Sequence, residues 1–221
     1  MPHLLVVGAG PGIAAATARR FGAAGWSVSL VARRVEVVGE LCAGLAADGV
    51  DAASAVADAG DATALTAAIR ELTAAAGPVD ALLHNVSVGR EVAAADLTPE
   101  QLTADLAAGV VALQTAVRAV LPGMTGRGAG TVLATGGGTA DRPMAALPTL
   151  GVQKAALRSL VGALAADLAP RGVHVATATV RGLVGEDRQI TPDRIAALYE
   201  ELVAETAGPR EAWRTVVDVM P

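Results

Sequence analysis

The run Gly8-Ala9-Gly10-Pro11-Gly12-Ile13-Ala14 follows a short apolar segment and precedes an Ala-rich one. Glycines at this spacing let the chain turn sharply, and the first backbone N–H groups of the next helix have no partner inside it, so they face an anion. A dinucleotide pyrophosphate is the natural ligand, held by Gly8, Gly10, Gly12 and Ile13; a purely structural turn is the alternative. The second apolar run ends Val31-Ala32-Arg33-Arg34, with no Asp or Glu. A carboxylate there grips a ribose hydroxyl, whereas guanidinium groups meet a 2′-phosphate in bidentate fashion. Arg33 and Arg34 therefore favour NADP(H) over NAD(H), unless they are only solvated charges at a strand end.

Such a turn needs a strand before it and a helix after it. Short β-branched runs alternate with longer Ala-rich stretches, the pattern of repeated βαβ units around a parallel sheet. The pattern predicts strands near 3–7, 27–32, 52–57, 79–84, 130–135, 173–179 and 215–219. Helices are expected near 12–24, 36–47, 62–76, 98–121, 149–169 and 192–205. Thr98 before Pro99 and Thr191 before Pro192 read as N-caps, each followed by an N1 proline with its preset φ. Gly77-Pro78 and Pro170-Arg171-Gly172 read as stops. The expected architecture is α/β, a Rossmann-type doubly wound parallel sheet of about seven strands with helices on both faces. No linker or composition shift divides it, so residues 1–221 form one domain, with a short lid and last helix at about 181–206. Helices 102–121 and 149–169 are apolar over a wide arc, which suits burial within one chain or packing against a second copy.

Composition narrows the function. At 52% apolar and 18% charged residues the chain is globular. A net charge of −5 and 2% aromatics exclude nucleic acid, which needs clustered cations and stacking platforms. No zinc spacing, Ser/His/Asp order or paired-carboxylate signature is present. Cys42 stands alone, without a thiol for a disulfide or metal site. The apolar start lacks a basic leader, and no uncharged stretch of about 18 residues is free of Gly and Pro. A soluble cytoplasmic protein with no membrane partner is expected.

Several segments resemble, in order, those of the short-chain dehydrogenase/reductase family. Gly8, Gly12 and Ala14 match its TGxxxGxG turn better than GxGxxG, which would want Gly or Ala at Ile13. Ala57-Asp58-Ala59-Gly60-Asp61 is similar to its DVxD segment, in which Asp58 would meet the adenine amino group beside Ala59. His84-Asn85-Val86-Ser87 is similar to its NNAG segment, which places Asn85 along the cofactor. Ala119 to Met124 resembles the end of its long fifth helix, and Leu168 to Val175 its approach to strand six. The likeness runs from residue 3 to about 180 and implies a nicotinamide cofactor, a small-molecule substrate and a homodimer or homotetramer through the fifth and sixth helices.

The family's proton chemistry fares differently. The resemblance implies a YxxxK tyrosine as proton donor, a serine thirteen residues before it, and an asparagine on the fifth helix supporting a water chain. Lys154 matches the lysine, which also bonds the nicotinamide ribose; a lysine snorkelling from its helix is the alternative. Leu150, Gly137 and Gly109 stand at the other three positions. Leucine has no transferable proton and glycine no side-chain hydrogen bond, and losing positioned proton transfer costs on the order of 10²–10⁴ in rate. Tyr199, the only tyrosine, sits in the last helix, where it folds over the pocket or packs into the core. His84, Ser87, Thr135, Thr139, Arg142 and Thr149 are the further polar candidates. Asp141 and Arg142 form either a surface ion pair or, respectively, a proton relay and an anion site, and Gly136-Gly137-Gly138 could offer N–H groups to an oxyanion. Lys154 and Asp141 are thus the expected catalytic pair. Three functions fit: an atypical NADP(H)-dependent reductase of a carbonyl, imine or iminium; a non-redox isomerase or cyclase; and an inactive cofactor-binding protein.

Overall fold

A strand covered by helices on both faces needs apolar side chains at every position. β1 (His3–Val7) has them from its second residue onward: Leu4 to Val7 are all fully buried. The computed structural model describes residues 1–221. The remaining strands are β2 (Ser27–Ala32), β3 (Ala52–Val56), β4 (Ala81–His84), β5 (Gly130–Gly137), β6 (Val173–Val180) and β7 (Val216–Val219). They form one sheet in the order β3-β2-β1-β4-β5-β6-β7, parallel throughout. The order reverses between β1 and β4, so the crevice where an α/β sheet takes its ligand lies beyond the ends of those two strands.

Alternation along β1 sends Leu5 and Val7 to one core and Leu4 and Val6 to the other. The first core is closed by α3 (Ala62–Ala76), α5 (Ala112–Arg127) and α6 (Pro148–Leu168), which contribute Ile69, Leu113, Met124, Leu157 and Val161. The second is closed by α1 (Ile13–Ala23), α2 (Val35–Ala47) and α7 (Pro192–Ala204), which contribute Phe21, Leu45, Ile195, Tyr199 and Leu202. Each large side chain buried this way stabilises by roughly 1.5–3 kcal/mol.

Helix ends follow local chemistry. Thr98 and Gln101 form a capping box at the start of α4 (Pro99–Leu106), and the Thr191 hydroxyl accepts from the Arg194 N–H at the start of α7. Gly77 ends α3 at φ 90°. The fifth-helix region departs from expectation twice. Its middle, Ala107–Val111, is a π turn that separates α4 from α5. Its end passes Pro122 and continues to Arg127, because fully buried Met124 anchors the final turn; left-handed Gly128 stops it instead. The run Pro99–Arg127 is long and apolar enough to cross a membrane by length and composition, yet it packs on α3 and α6. Residues 181–191 form the short segment expected after β6, pinned by one bridge between Val184 and Ile190.

His84 ends β4 and is fully buried. Its Nε2 lies 3.1 Å from the Gly109 carbonyl in the π turn, so Nε2 carries the proton and Nδ1 is left as an unpartnered acceptor. Burial pushes its pKa down to about 4, the Gly109 carbonyl opposing and the nearby Lys154 charge adding. A histidine in the unfolded chain titrates near 6.5. Between those values the unfolded chain binds a proton that the folded one refuses, so this contribution is intact above pH 6.5 and is lost as the pH falls toward 4. The expected loss from pH 7 to 5 is about 2 kcal/mol. His3, whose pKa burial also lowers, contributes to acid loss in both proteins, so urea titrations at the two pH values should show the wild type losing about 2 kcal/mol more than His84→Gln; an equal fall in both would mean that the ring is charged in the fold.

Candidate active site

Two clefts run along the carboxyl ends of the strands and meet at Asn85 and Ser87, which line both. The first, of about 470 Å³, lies between the ends of β1, β2 and β3 and is lined by Gly8, Arg33, Arg34, Asp58 and Ala59 among others. The second, of about 740 Å³, is bounded by the Gly10–Ile13 turn, the end of β5, the start of α6 and the segment after β6.

Close approach fixes the junction. Gly8 sits at φ +89°, and a Cβ there would lie 2.8 Å from the Asn85 carbonyl carbon, so only glycine fits. Asn85 Nδ2 donates to the Gly8 carbonyl at 3.2 Å, while Asn85 Oδ1 accepts from the Thr135 hydroxyl at 2.7 Å. That hydroxyl in turn accepts from Tyr199 Oη, 2.7 Å away. A chain of three bonds thus ties the tips of β1, β4 and β5 to α7. Tyr199 is fully buried and lines neither cleft, and its pKa is pushed up by burial, with the Thr135 bond opposing. Of the two sequence expectations for Tyr199, core packing is the one observed.

Gly10 and Gly12 stand on open space, with nothing within 4 Å of the position a Cβ would take. The backbone N–H groups of Gly12, Ile13 and Ala14 donate to no carbonyl in the chain. Room for oxygens beside unpaired donors at a helix start fits a pyrophosphate. Arg33 and Arg34 are exposed at the far end of the first cleft and pair with no carboxylate. Asp58 Oδ1 accepts from the Gly60 N–H at 2.8 Å, which turns the segment into the cleft, with Ala59 buried beside it.

At the other end, Lys154 lines the second cleft from α6. Its Nζ donates to the Thr135 carbonyl at 2.8 Å and to the Val86 carbonyl at 3.4 Å, leaving one proton unpaired. Burial lowers its pKa to about 8. Leu150, one turn earlier, also lines the cleft, and Gly137 faces the Lys154 stem with room for a Cβ at 3.4 Å. Gly109 has no such room. Its Cβ would collide with the carboxamide of Gln153, a residue the sequence reading overlooked. Gln153 holds both backbone groups of Val88, Oε1 accepting from its N–H at 3.0 Å and Nε2 donating to its carbonyl at 2.9 Å. Arg90, gripping buried Asp105 through two bonds, fixes the same segment to α4. The only signal for Gln153 was a polar residue beside Lys154 in the first half of a largely apolar helix.

Asp141 does not join the site as expected. Both its oxygens are taken by Arg158, at 2.6 and 2.9 Å, and one also by Arg181 at 2.7 Å. These guanidinium groups hold its carboxyl far below the usual carboxylate range, so it stays ionised, and it lines neither cleft. A carboxylate so held is no proton relay; its contact is to Arg181, which does line the second cleft. Gly136 and Gly137 likewise belong to β5, in register with Thr179 and Val180, rather than to an open loop. In the outer wall of the cleft, Leu183 and Val184 come from the segment expected as a short lid, whereas Met144, Leu147 and Met220 are residues to which no function was assigned from sequence.

Comparison with known proteins adds the family. Residues 2–186 match the model for short chain dehydrogenase. The chain is 33% identical over 198 residues to galactitol 2-dehydrogenase (L-tagatose-forming) of Cereibacter sphaeroides, covering 88% of this chain and 76% of that protein. It is 32% identical over 174 residues to sulfoacetaldehyde reductase 2 of Chromohalobacter salexigens, covering 78% and 69%. Among solved structures, a metagenomic short-chain oxidoreductase in complex with NADP superposes with a TM-score of 0.87 at 26% identity, covering 100% of this chain and 97% of that one. The parallel seven-stranded sheet, the glycine turn and these matches agree: the chain belongs to the short-chain dehydrogenase family.

Proposed function

We propose that this protein is an NADP(H)-dependent reductase of a small molecule in which Lys154, not a tyrosine, supplies the proton. The observation that carries this reading is the continuous pair of clefts, with unpaired Arg33 and Arg34 at one end and Lys154 at the other. When bound, NADPH supplies a hydride, which lets a carbonyl carbon be reduced. Gly10, Gly12 and Ile13 hold the pyrophosphate, Gly8 and Asn85 shape the junction, and Asp58 and Ala59 line the adenine end. Arg33 and Arg34 bind the 2′-phosphate, in keeping with the NADP held by the metagenomic relative. As the carbonyl π bond breaks, its oxygen takes a proton from the Lys154 ammonium, and the neutral amine regains one from solvent. Asp141 positions Arg181 and does not exchange a proton.

Leu150, Gly137 and Gly109 stand where the family resemblance puts tyrosine, serine and asparagine, and this favours a second reading: a cofactor-binding protein without redox turnover, an isomerase or cyclase included. We also place a homodimer or homotetramer on the fifth- and sixth-helix regions, where Val111 of the π turn and Val152 of α6 are about half exposed.

Three measurements test these statements. Arg33→Ala should weaken NADPH binding about ten- to a hundredfold, the worth of a charge-assisted bond, while NADH binding holds; equal losses would refute the 2′-phosphate assignment. Proton donation requires the ammonium form, so the reductive kcat should fall as the pH rises through about 8, and Lys154→Met should abolish turnover; a kcat flat from pH 6 to 10 contradicts the assignment. Tight NADPH binding with no oxidation over a broad carbonyl and imine panel would select the second reading.

A further inference from the structure

The second cleft has three cations and no acid. Lys154, Arg142 and Arg181 line it, and no Asp or Glu does. Two of the three are already engaged. Lys154 is bonded to backbone carbonyls, and Arg181 is neutralised by Asp141 at 2.7 Å and Asp218 at 2.9 Å. Arg142 differs. It is exposed on the loop after β5, its backbone N–H donates to the Gly138 carbonyl, and its guanidinium meets no carboxylate or other acceptor in the chain.

Around this charge the wall is apolar. Leu147 and Leu150 lie deeper, and Met144, Leu183 and Met220 rim the opening at 48, 73 and 53% exposure. These three belong to the few large apolar side chains that the chain leaves in water, and they share one opening. An apolar rim enclosing one uncompensated guanidinium matches a ligand with a hydrocarbon body and a single negative charge. It mismatches a cation, which would meet Arg142 and Lys154 with no carboxylate to offset them.

We propose that the cleft takes an apolar carbonyl compound bearing one anionic group, a carboxylate or its like, which Arg142 binds while the hydrocarbon lies against Leu147, Leu150 and Leu183. As a statement about substrate this rests on the reductase reading, and within that reading it selects an anionic carbonyl over an iminium ion. Arg142 is a specificity residue, separate from the cofactor-binding arginines.

The test uses the whole chain saturated with NADP⁺, so that the pyrophosphate seat is filled, titrated with hexanoate, 1-hexanol and hexylammonium by calorimetry or ligand-observed NMR. Hexanoate should bind roughly tenfold more tightly than hexanol, and hexylammonium least well. Arg142→Gln should erase the hexanoate advantage and Arg142→Glu should reverse the order, both with unchanged NADP⁺ affinity and melting temperature, since the side chain is exposed and unbonded. Equal binding of hexanoate and hexanol, or a hexanoate preference that survives Arg142→Gln, overturns the proposal while leaving NADP⁺ binding intact. A chain that binds no NADP⁺ yet still prefers hexanoate through Arg142 sinks the cofactor reading and keeps the anion site.

Discussion

The tips of β1 and β4 approach so closely that a single methyl group at residue 8 would part them. Everything that makes the crevice useful is referred to that contact. Asn85 bridges it with one amide end on the Gly8 carbonyl and the other on Thr135, and the Tyr199 hydroxyl completes the line from α7. The residues so joined are 64 to 77 positions apart in the chain for the Tyr199 and Gly8 links, so local turn preference cannot set the geometry. Buried bonds in a low-dielectric interior reinforce one another, and a broken one leaves a polar atom stranded. The glycine turn is therefore held from behind, and its unpaired N–H groups point into space already shaped.

Charge is distributed along the crevice with similar economy. Half of the arginines named around the site are neutralised locally: Arg90 by Asp105, Arg158 by Asp141, Arg181 by Asp141 and Asp218. Those left unpaired, Arg33 and Arg34 at one end and Arg142 at the other, stand out against a chain of net charge −5. An unpaired guanidinium keeps its charge available to an anion from outside, which is the role proposed above for these three. Lys154 shares the second cleft with Arg142, desolvated by the packing that brings its stem against Gly137 of β5.

Much of the fold was legible because it depends on local signals. The all-apolar run at β1, the Thr-Pro starts of α4 and α7 and the Gly77 stop each act within a few residues, and their boundaries fall within about two residues of expectation. Pro122 misled because its cost is local, whereas the anchor that overrides it, Met124 in the core, is tertiary. Part of the lining of the first cleft was legible for the same reason as the strands: Gly8, Arg33 and Arg34 sit on short loops. Much of the second was not. Gln153, Val88 and Gly109 lie on three different elements, and the two arginines that pin Asp141 are 17 and 40 residues away. Met220 reaches the cleft only because β7 returns the chain to the sheet edge.

The carboxamide of Gln153 fills the volume that any side chain at residue 109 would need. Positions 109 and 153 are consequently coupled: a side chain on the π turn would push the Gln153 carboxamide aside, and either moving or trimming that amide unhooks Val88 from the wall. Any route from this arrangement to one with a side chain at residue 109 therefore passes through a cleft wall that has lost its hold on Val88.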